Sequence, residues 1–223
     1  MIRKKRLLKC HGKRDLTLGY QLYPYKNSDI YTLNKVEFQD ALSLRFNWHL
    51  QTLPKKCGGC GLKNNTDHAL SCKTGGYVSF RHDAVRDVEA ELLKEVCRNV
   101  KVEPPLQETR GDMLRSNANT SAQARLDIAA TGLWSRFERT YFDVRVTHPN
   151  APSNRAKSLK QLYIRNEEEK MVKYAQRVVD TEKGSFCPLV YSTFGGTAPS
   201  AHHTTRELHN SWRTRERKST KTS

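Results

Sequence analysis

Two aspartates that interrupt short apolar runs constrain the fold of this chain more than any other feature. Asp127 lies in the run Leu126–Ala130, and Asp143 lies in the run Tyr141–Val146. An ionised carboxylate in a buried strand is costly unless a cation or hydrogen-bond donors compensate it. Because a turn rich in Gly, Trp and Ser joins the two runs, they are predicted to pair as neighbouring strands and to bring both carboxylates together.

A divalent cation is the simplest partner for two neighbouring carboxylates, because like charges otherwise raise each other's pKa. Phosphodiester hydrolysis needs a nucleophilic water, neutralisation of phosphate charge and help for the leaving oxygen, and Mg²⁺ held by carboxylates can supply all three. Asp127 and Asp143 are therefore predicted to be Mg²⁺ ligands, with Glu103 on the preceding strand as an accessory candidate. The competing interpretation is that the aspartates are solvated strand-end residues.

Basic side chains near this site supply further candidates. Lys170 and Lys173 lie three residues apart in a predicted helix, where either could orient water or stabilise the phosphate. Arg81 and His82 open an earlier helix, and Arg145 follows the second aspartate; each is either a phosphate contact or a structural residue. Lys170 follows three glutamates, so the competing interpretation makes it a solvent-facing ion-pair residue.

Three cysteines and a histidine have the spacing of a metal site. The pattern C-x2-C-x7-H-x3-C provides Cys57, Cys60, His68 and Cys72 as ligands for tetrahedral zinc, and the two glycines between the first two cysteines favour a tight turn. Metal binding would supply much of the folding free energy of so small a module. The alternative is three unrelated reduced cysteines.

The charge balance indicates the kind of partner. The net charge is +16, from 39 Lys+Arg and 23 Asp+Glu, which favours nucleic acid or an anionic membrane surface. No run of about 18 apolar residues is present, so no bilayer-spanning segment is predicted. The apolar run after the basic N-terminus is too short for a signal peptide. We therefore expect an intracellular protein, nuclear or cytoplasmic and not secreted.

The chain divides into four predicted segments. These are a basic tail over 1–31, a helix and zinc knuckle over 32–76, an α/β domain over 77–196, and a disordered basic tail over 197–223. Within the third segment the predicted order is helix, strand, strand, strand, helix, strand, which indicates a mixed sheet flanked by helices. Its second helical region spans 156–183, with Gly184 as a predicted C-cap.

These motifs together resemble the C-terminal region of non-LTR retrotransposon proteins that carry a restriction-enzyme-like endonuclease. The resemblance covers about residues 33–196 and rests on Cys57–Cys72, Arg81-His82-Asp83, Leu126-Asp127-Ile128, Phe142-Asp143-Val144 and Lys170-x-x-Lys173-Tyr174. It implies a zinc knuckle that precedes a nuclease core of the PD-(D/E)XK type. In that core Asp127 and Asp143 would be the metal carboxylates and Lys170 the catalytic lysine.

The resemblance also implies a function and partners. The family nicks chromosomal DNA, and the 3′-hydroxyl at the nick primes reverse transcription. DNA is thus the implied partner, element RNA is a further candidate, and a reverse-transcriptase domain would lie upstream on a longer parent protein. No Tyr-x-Asp-Asp motif occurs in this chain, so we expect a detached fragment without the polymerase.

Two positions depart from the family pattern. Leu126 stands where the motif prefers proline, and Arg145 stands where ordinary PD-(D/E)XK nucleases carry their lysine. The second departure is consistent with a lysine that has moved to the following helix. The alternative function is a decayed copy that keeps its zinc and binds nucleic acid without cleaving it.

Overall fold

The computed structural model describes residues 34–46, 48, 50, 53–74, 76–109, 114 and 116–219. The predicted basic tail over 1–31 lies outside the described residues. The regular elements, in chain order, are α1 Lys35–Phe46, α2 Thr66–Ser71, α3 Tyr77–Val96, β1 Arg98–Val102, β2 Ile128–Thr131, β3 Arg139–Thr147, α4 Leu159–Lys170, β4 Ser185–Ser192 and α5 Pro199–Ser219. Two π-helical turns, Met171–Ala175 and Val178–Glu182, follow α4.

Four strands in the described part of the chain form one mixed, open sheet in the order β1-β2-β3-β4. The β1–β2 and β2–β3 pairs are antiparallel, and the β3–β4 pair is parallel. A parallel pair needs a long crossover connection, which α4 and its π-helical turns provide. The predicted α/β class and the order helix, strand, strand, strand, helix, strand are confirmed over the range from α3 to β4.

The sheet is covered by helices on both faces. On one face Phe142 packs in an apolar cluster with residues of α3 and α5. On the other face Tyr141 packs against Tyr174 of the first π-helical turn. Successive residues of a strand point to opposite faces, so Asp143 shares the face of Tyr141 and points towards α4. β3 is buried on both faces over residues 140–144, and its apolar residues Tyr141, Phe142 and Val144 are divided between the two faces.

The prediction of a disordered tail over 197–223 is wrong for Pro199–Ser219, which form α5. This helix packs against β4 and α3. Its first turn is fixed to α4, because the Ser200 backbone N–H donates to Glu167 Oε1 at 2.8 Å. The sheet domain therefore continues beyond the predicted boundary at residue 196.

The sequence pattern of α5 explains the error. Its buried side chains recur at helical spacing, and they are Ala201, Thr204, Thr205 and Leu208. Small and hydroxyl-bearing residues carry most of this stripe, so a count of large apolar residues does not detect it. The two threonine hydroxyls are satisfied within the helix, since they donate to the carbonyls of Ser200 and Ala201.

The helical region before β4 ends differently from the prediction. Lys183, not Gly184, takes the left-handed conformation, with φ at 55°, and its N–H donates to the carbonyl of Val178. Gly184 has another role, because a Cβ there would lie 2.5 Å from the carbonyl oxygen of Arg139. The glycine thus allows the chain to enter β4 directly beside the start of β3.

No helix in the described part of the chain is both long enough and apolar enough to cross a membrane.

The packing of α5 can be tested at its most buried leucine. Leu208 is 1% exposed, so Leu208→Ala is expected to lower the free energy of unfolding by about 2–5 kcal/mol. Arg206→Ala, on the exposed side of the same helix, should change it by less than about 0.5 kcal/mol. Urea denaturation of both variants measures the difference, and equal values would show that α5 does not pack on the domain.

Candidate functional site

Asp127 and Asp143 lie opposite each other across the β2–β3 pair. Ile128 pairs with Phe142, and the backbone N–H of Asp127 donates to the Phe142 carbonyl at 3.1 Å, which extends this register by one step. Residues directly opposite have their Cβ atoms roughly 5 Å apart. Burial raises the pKa of Asp143, and the negative charge of Asp127 raises it further. The structure therefore brings the two carboxylates to one place.

The sequence predicted that Asp127 lies inside a strand, but Asp127 precedes β2 by one residue. Its Oδ2 accepts a hydrogen bond from the Val144 backbone N–H at 2.6 Å. The Nε2 of His82, on α3, lies 3.1 Å from the Val144 carbonyl and 3.3 Å from Asp127 Oδ2. The side chains of Asp127 and His82 thus contact the N–H and the carbonyl of Val144. Asp127 is not a solvated strand-end residue.

His82 carries a positive charge beside the carboxylate of Asp127. The hydrogen bond from His82 to Asp127 raises the pKa of the imidazole to about 9, so the ring is protonated at neutral pH. Its Nδ1 lies 3.3 Å from a carboxylate oxygen of Asp83. The half-buried ring is therefore held between two carboxylates and a backbone carbonyl, which agrees with a structural role for His82.

Lys170 is the last residue of α4, and its ammonium forms an ion pair with Asp143 Oδ2. The side chains are only 18% and 7% exposed, so the pair is shielded from water. The positive charge of Lys170 opposes the effect of burial, which dominates and raises the pKa of Asp143. The solvent-facing interpretation of Lys170 is wrong.

Lys173 lies close to Lys170, because the ammonium groups of both lysines lie near the ring of Tyr174. Its Nζ lies 4.9 Å from the centroid of the Tyr174 ring, and its carbonyl accepts the N–H of Asn119 at 2.8 Å. It lines an open cleft of about 730 Å³ together with Arg165 and the loop over 117–121. The sequence does not predict this cleft, because the loop over 117–121 is mostly polar and has no periodicity.

Arg145 is on the same face of β3 as Asp143, two residues further along. Its guanidinium donates to Glu169 Oε2 at 2.6 Å, and Arg165 donates to the other oxygen of Glu169 at 2.9 Å. The cation that contacts Asp143 is therefore Lys170 and not Arg145.

Glu103 does not join the two aspartates in a three-carboxylate site. Its oxygens lie 2.6 Å from Arg86 and 3.9 Å from Arg125. Among the described residues, one group of three or more possible metal ligands lies close together. It consists of cysteines and a histidine and does not include Glu103. Glu103 thus forms ion pairs between α3 and the segment before β2.

The predicted zinc ligands converge. The side-chain ligand atoms of Cys57, Cys60, His68 and Cys72 all lie within 4.8 Å of one another. The thiols are free and not joined in disulfides. The turn between the first two cysteines depends on Gly61, which follows them, because this glycine has a φ of 72° and its N–H donates to the Cys57 carbonyl.

The spacing of these atoms fits a tetrahedral zinc ion. Zinc–ligand distances of about 2.3 Å to sulfur and about 2.0 Å to nitrogen place neighbouring ligand atoms roughly 3.5–3.8 Å apart. The Cys57 and Cys72 sulfurs are 3.8 Å apart, and the Cys60 sulfur lies 3.2 Å from His68 Nε2. Backbone N–H groups of Cys60 and Gly59 lower the pKa of Cys57 to about 6, which favours its thiolate. The cluster could therefore hold zinc.

The helix that carries His68 is fastened to the sheet domain. Asp67 accepts from His148 Nε2 at 3.0 Å and from the Asn150 amide at 3.1 Å. Arg81 donates to the Leu70 carbonyl at 2.9 Å, so this arginine joins α2 to α3. The cysteine–histidine cluster and the carboxylate pair are therefore connected through α3, since Arg81 precedes His82.

A buried acid on α3 completes the charged residues near the sheet. Glu89 accepts from the Tyr191 hydroxyl at 2.7 Å, while its second oxygen is buried and has no hydrogen-bond partner among the described residues. Burial raises the pKa of Glu89 to about 6. This acid therefore contacts β4 rather than adding a ligand beside Asp127 and Asp143.

Comparisons of the sequence with known proteins identify no relative. No protein-family model matches the chain, and no curated protein matches it.

The zinc ligands can be tested by substitution. Cys60→Ser removes one thiolate and is expected to abolish stoichiometric zinc binding, because three ligands hold the ion much more weakly than four. Cys97→Ala, which removes a thiol outside the cluster, should retain the metal. Zinc content of the purified variants is measured by mass spectrometry, and full zinc occupancy in Cys60→Ser would contradict the assignment.

Glu89 predicts a pH dependence of stability. Its pKa is higher in the folded state, about 6 against 4.5, so the folded protein binds this proton more tightly and loses stability as pH rises from about 4.5 to 6. Relative to Glu89→Gln, the natural protein should lose about 1 kcal/mol between pH 4.5 and 6 and about 2 kcal/mol over the whole titration. Urea unfolding at several pH values measures the loss, with Glu91→Gln on the exposed side of α3 as the control. Parallel curves for the natural protein and Glu89→Gln would contradict this prediction.

Proposed function

We propose that this chain is a metal-dependent DNA endonuclease domain of a retroelement, with a PD-(D/E)XK nuclease core and a zinc knuckle. The observation that carries the proposal is the convergence of Asp127, Asp143 and Lys170, which come from three separate parts of the chain. Two carboxylates with a lysine beside them form the minimal set of groups for metal-dependent phosphodiester hydrolysis. The order of strands and helices around them is compatible with that core.

The surface of the protein supports a nucleic-acid substrate. The net charge of +16 favours a polyanion and would give binding that weakens as salt concentration rises. The cleft beside the site is large enough for a nucleotide, and it presents the cation of Lys173 and the polar loop over 117–121, while its Arg165 is paired with Glu169. We infer that this cleft receives the DNA strand next to the bond that is cut.

The donor set of the carboxylate pair suits a hard cation such as Mg²⁺, because both aspartates offer oxygen ligands. Bound between Asp127 and Asp143, Mg²⁺ would lower the pKa of a water molecule and neutralise charge on the phosphate. The side chains have separate tasks in this proposal. Asp143 holds Lys170 at the site, and the Lys170 ammonium can then donate a hydrogen bond to the attacked phosphate.

The bond changes of the proposed reaction are simple. The oxygen of water forms a bond to phosphorus while the bond between phosphorus and the 3′-oxygen breaks. The released 3′-oxygen takes a proton, which leaves a 3′-hydroxyl and a 5′-phosphate. Such a hydroxyl can serve as the primer that target-primed reverse transcription requires, with the polymerase supplied by another polypeptide segment. On this proposal the protein acts in the nucleus, on chromosomal DNA.

His82 is a positioning residue in this proposal. It lies against Asp127 and the Val144 carbonyl, so the carboxylate of Asp127 is held at a fixed angle to the sheet. Arg145 and Arg165 both donate to the carboxylate of Glu169 beside the same site. Neither contact requires chemistry from these residues.

One observation favours the second candidate function, a zinc-containing nucleic-acid-binding fragment without catalysis. Both carboxylates already have protein cations beside them, Lys170 for Asp143 and protonated His82 for Asp127. A site neutralised in this way is stable without a metal, and it would remain so in a chain that has lost its activity. Binding alone then depends on the charge and the zinc knuckle.

Nicking of supercoiled plasmid distinguishes the two functions. The purified protein is expected to nick the plasmid when Mg²⁺ is added and not when it is left out; omission is preferable to a chelator, which would also remove zinc. Asp143→Asn and Lys170→Met should each lower the rate at least about 100-fold, because each removes a group from the site. Lys160→Met, at an exposed position near the start of α4, is the matched control and should keep most of the activity.

DNA binding is measured in parallel by electrophoretic mobility shift. Asp143→Asn is expected to bind DNA as the natural protein does, since the substitution removes a negative charge and leaves the basic surface intact. Metal-dependent nicking that persists in Asp143→Asn would contradict the proposed site. An absence of nicking by a zinc-loaded protein that still shifts DNA would instead favour the binding function.

A further inference from the structure

The connection between β2 and β3 presents an aromatic ring to solvent. Phe137 is 80% exposed, which makes it the most exposed large apolar side chain among the described residues. A single exposed apolar residue is common on protein surfaces, so exposure alone carries no argument. The surroundings of Phe137 differ from those of an ordinary exposed residue in two respects, which are rigidity and charge.

The connection is held rigidly. The Gly132 N–H donates to the Glu138 carbonyl at 3.0 Å, and the Ser135 hydroxyl donates to the Glu138 carboxylate at 3.3 Å. Arg98 at the start of β1 donates to the carbonyl of Arg136 at 2.9 Å. The ring therefore projects from a braced turn, so little conformational entropy is lost if it is inserted into a partner.

The base of the turn is packed as well. Trp134 stacks on His203 of α5 with ring centroids 5.0 Å apart, and Leu133 is buried in the apolar cluster below. These contacts anchor the residues just before Phe137. The fold therefore keeps two apolar residues of this short turn inside and leaves the third outside.

One arginine lies over the exposed ring, and other arginines are held at the same end of the sheet. The Arg136 guanidinium lies 5.3 Å from the centroid of the Phe137 ring, and Arg98 and Arg139 are fixed on either side of the turn. Arg215 of α5 reaches the same end of the domain, where it donates to the carbonyls that precede β1. The acid of the turn, Glu138, is hydrogen-bonded to Ser135. The patch is therefore cationic, with an aromatic residue at its tip.

We infer that Phe137 is a wedge that stacks on an unpaired or unstacked base of DNA, while the arginines beside it contact the flanking phosphates. An aromatic ring stacks on any base, and guanidinium groups bind phosphate, so this combination suits nucleic acid better than an apolar protein surface. Protein wedges that insert between base steps use apolar side chains on rigid supports in the same way. The choice of DNA as ligand rests on the proposed function.

The distance to the carboxylate pair is compatible with one DNA molecule at both places. Asp143 lies four residues along β3 from Arg139, which corresponds to about 13 Å at the rise of a β-strand. With about 3.4 Å per base pair, this is roughly four base pairs of duplex. The wedge would thus open or kink the duplex a few base pairs from the cleaved bond.

The wedge is tested by the affinity for duplexes that contain one mismatched pair, measured by fluorescence anisotropy before Mg²⁺ is added. Opening a mismatch costs less than opening a matched pair, so the natural protein is expected to bind the mismatched duplex more tightly. Phe137→Ala should weaken this binding about tenfold, and Phe137→Trp should retain it, since an indole also stacks. Phe80→Ala is the matched control, because Phe80 is 74% exposed on α3 and lacks the arginine-rich turn.

A second measurement makes the stacking visible. The fluorescence of 2-aminopurine placed beside the mismatch should increase when the natural protein binds and should stay low with Phe137→Ala. Unchanged affinity in Phe137→Ala, or an equal loss in Phe80→Ala, would overturn the wedge. A loss seen with single-stranded RNA but not with duplex DNA would overturn the choice of DNA. These measurements report DNA binding and not cleavage, so their interpretation does not change if the protein does not nick DNA.

Discussion

Compensation of buried carboxylate charge is the constraint on which this sheet depends. Asp143 and Asp127 lie opposite each other, where their charges repel, and Asp143 is almost fully buried. Lys170 from α4 neutralises one, and protonated His82 from α3 neutralises the other. The two helices pack on opposite faces of the sheet. The ion pairs therefore connect both helices to the same two neighbouring aspartates. Removing one partner of a buried pair typically costs roughly 3–5 kcal/mol.

The cysteine–histidine cluster is part of the same arrangement. Asp67, beside the ligand His68, accepts hydrogen bonds from His148 and Asn150 at the end of β3. Arg81 binds the end of α2, and the next residue in the chain is His82. The cluster helix and the carboxylate pair are therefore joined through two adjacent residues of α3. This contact gives a physical reason for the two sites to lie on one polypeptide.

The irregular segment after α4 positions the lysines. The π-helical turn that starts at Met171 follows directly on Lys170, and the ammonium groups of Lys170 and Lys173 lie 5.9 and 4.9 Å from the centroid of the Tyr174 ring. The turn is held by Arg177, which is fully buried and donates to the carbonyls of Gln107, Asn119 and Ser121. The long loop before β2 is thereby fixed against the helix that carries Lys170.

The sequence by itself determined the layers of the fold and the main groups of the site. Alternation, helical spacing and the apolar runs around Asp127 and Asp143 are local patterns, so they indicate the α/β order, and the Cys/His spacing indicates a metal cluster. Tertiary structure alone decided which cation meets which acid, because such contacts join residues distant in sequence, as with Lys170 and Asp143. It also decided that α5 is a packed helix. Its buried stripe of alanine and threonine gains stability only against β4 and α3, and no local pattern of large apolar residues reveals it.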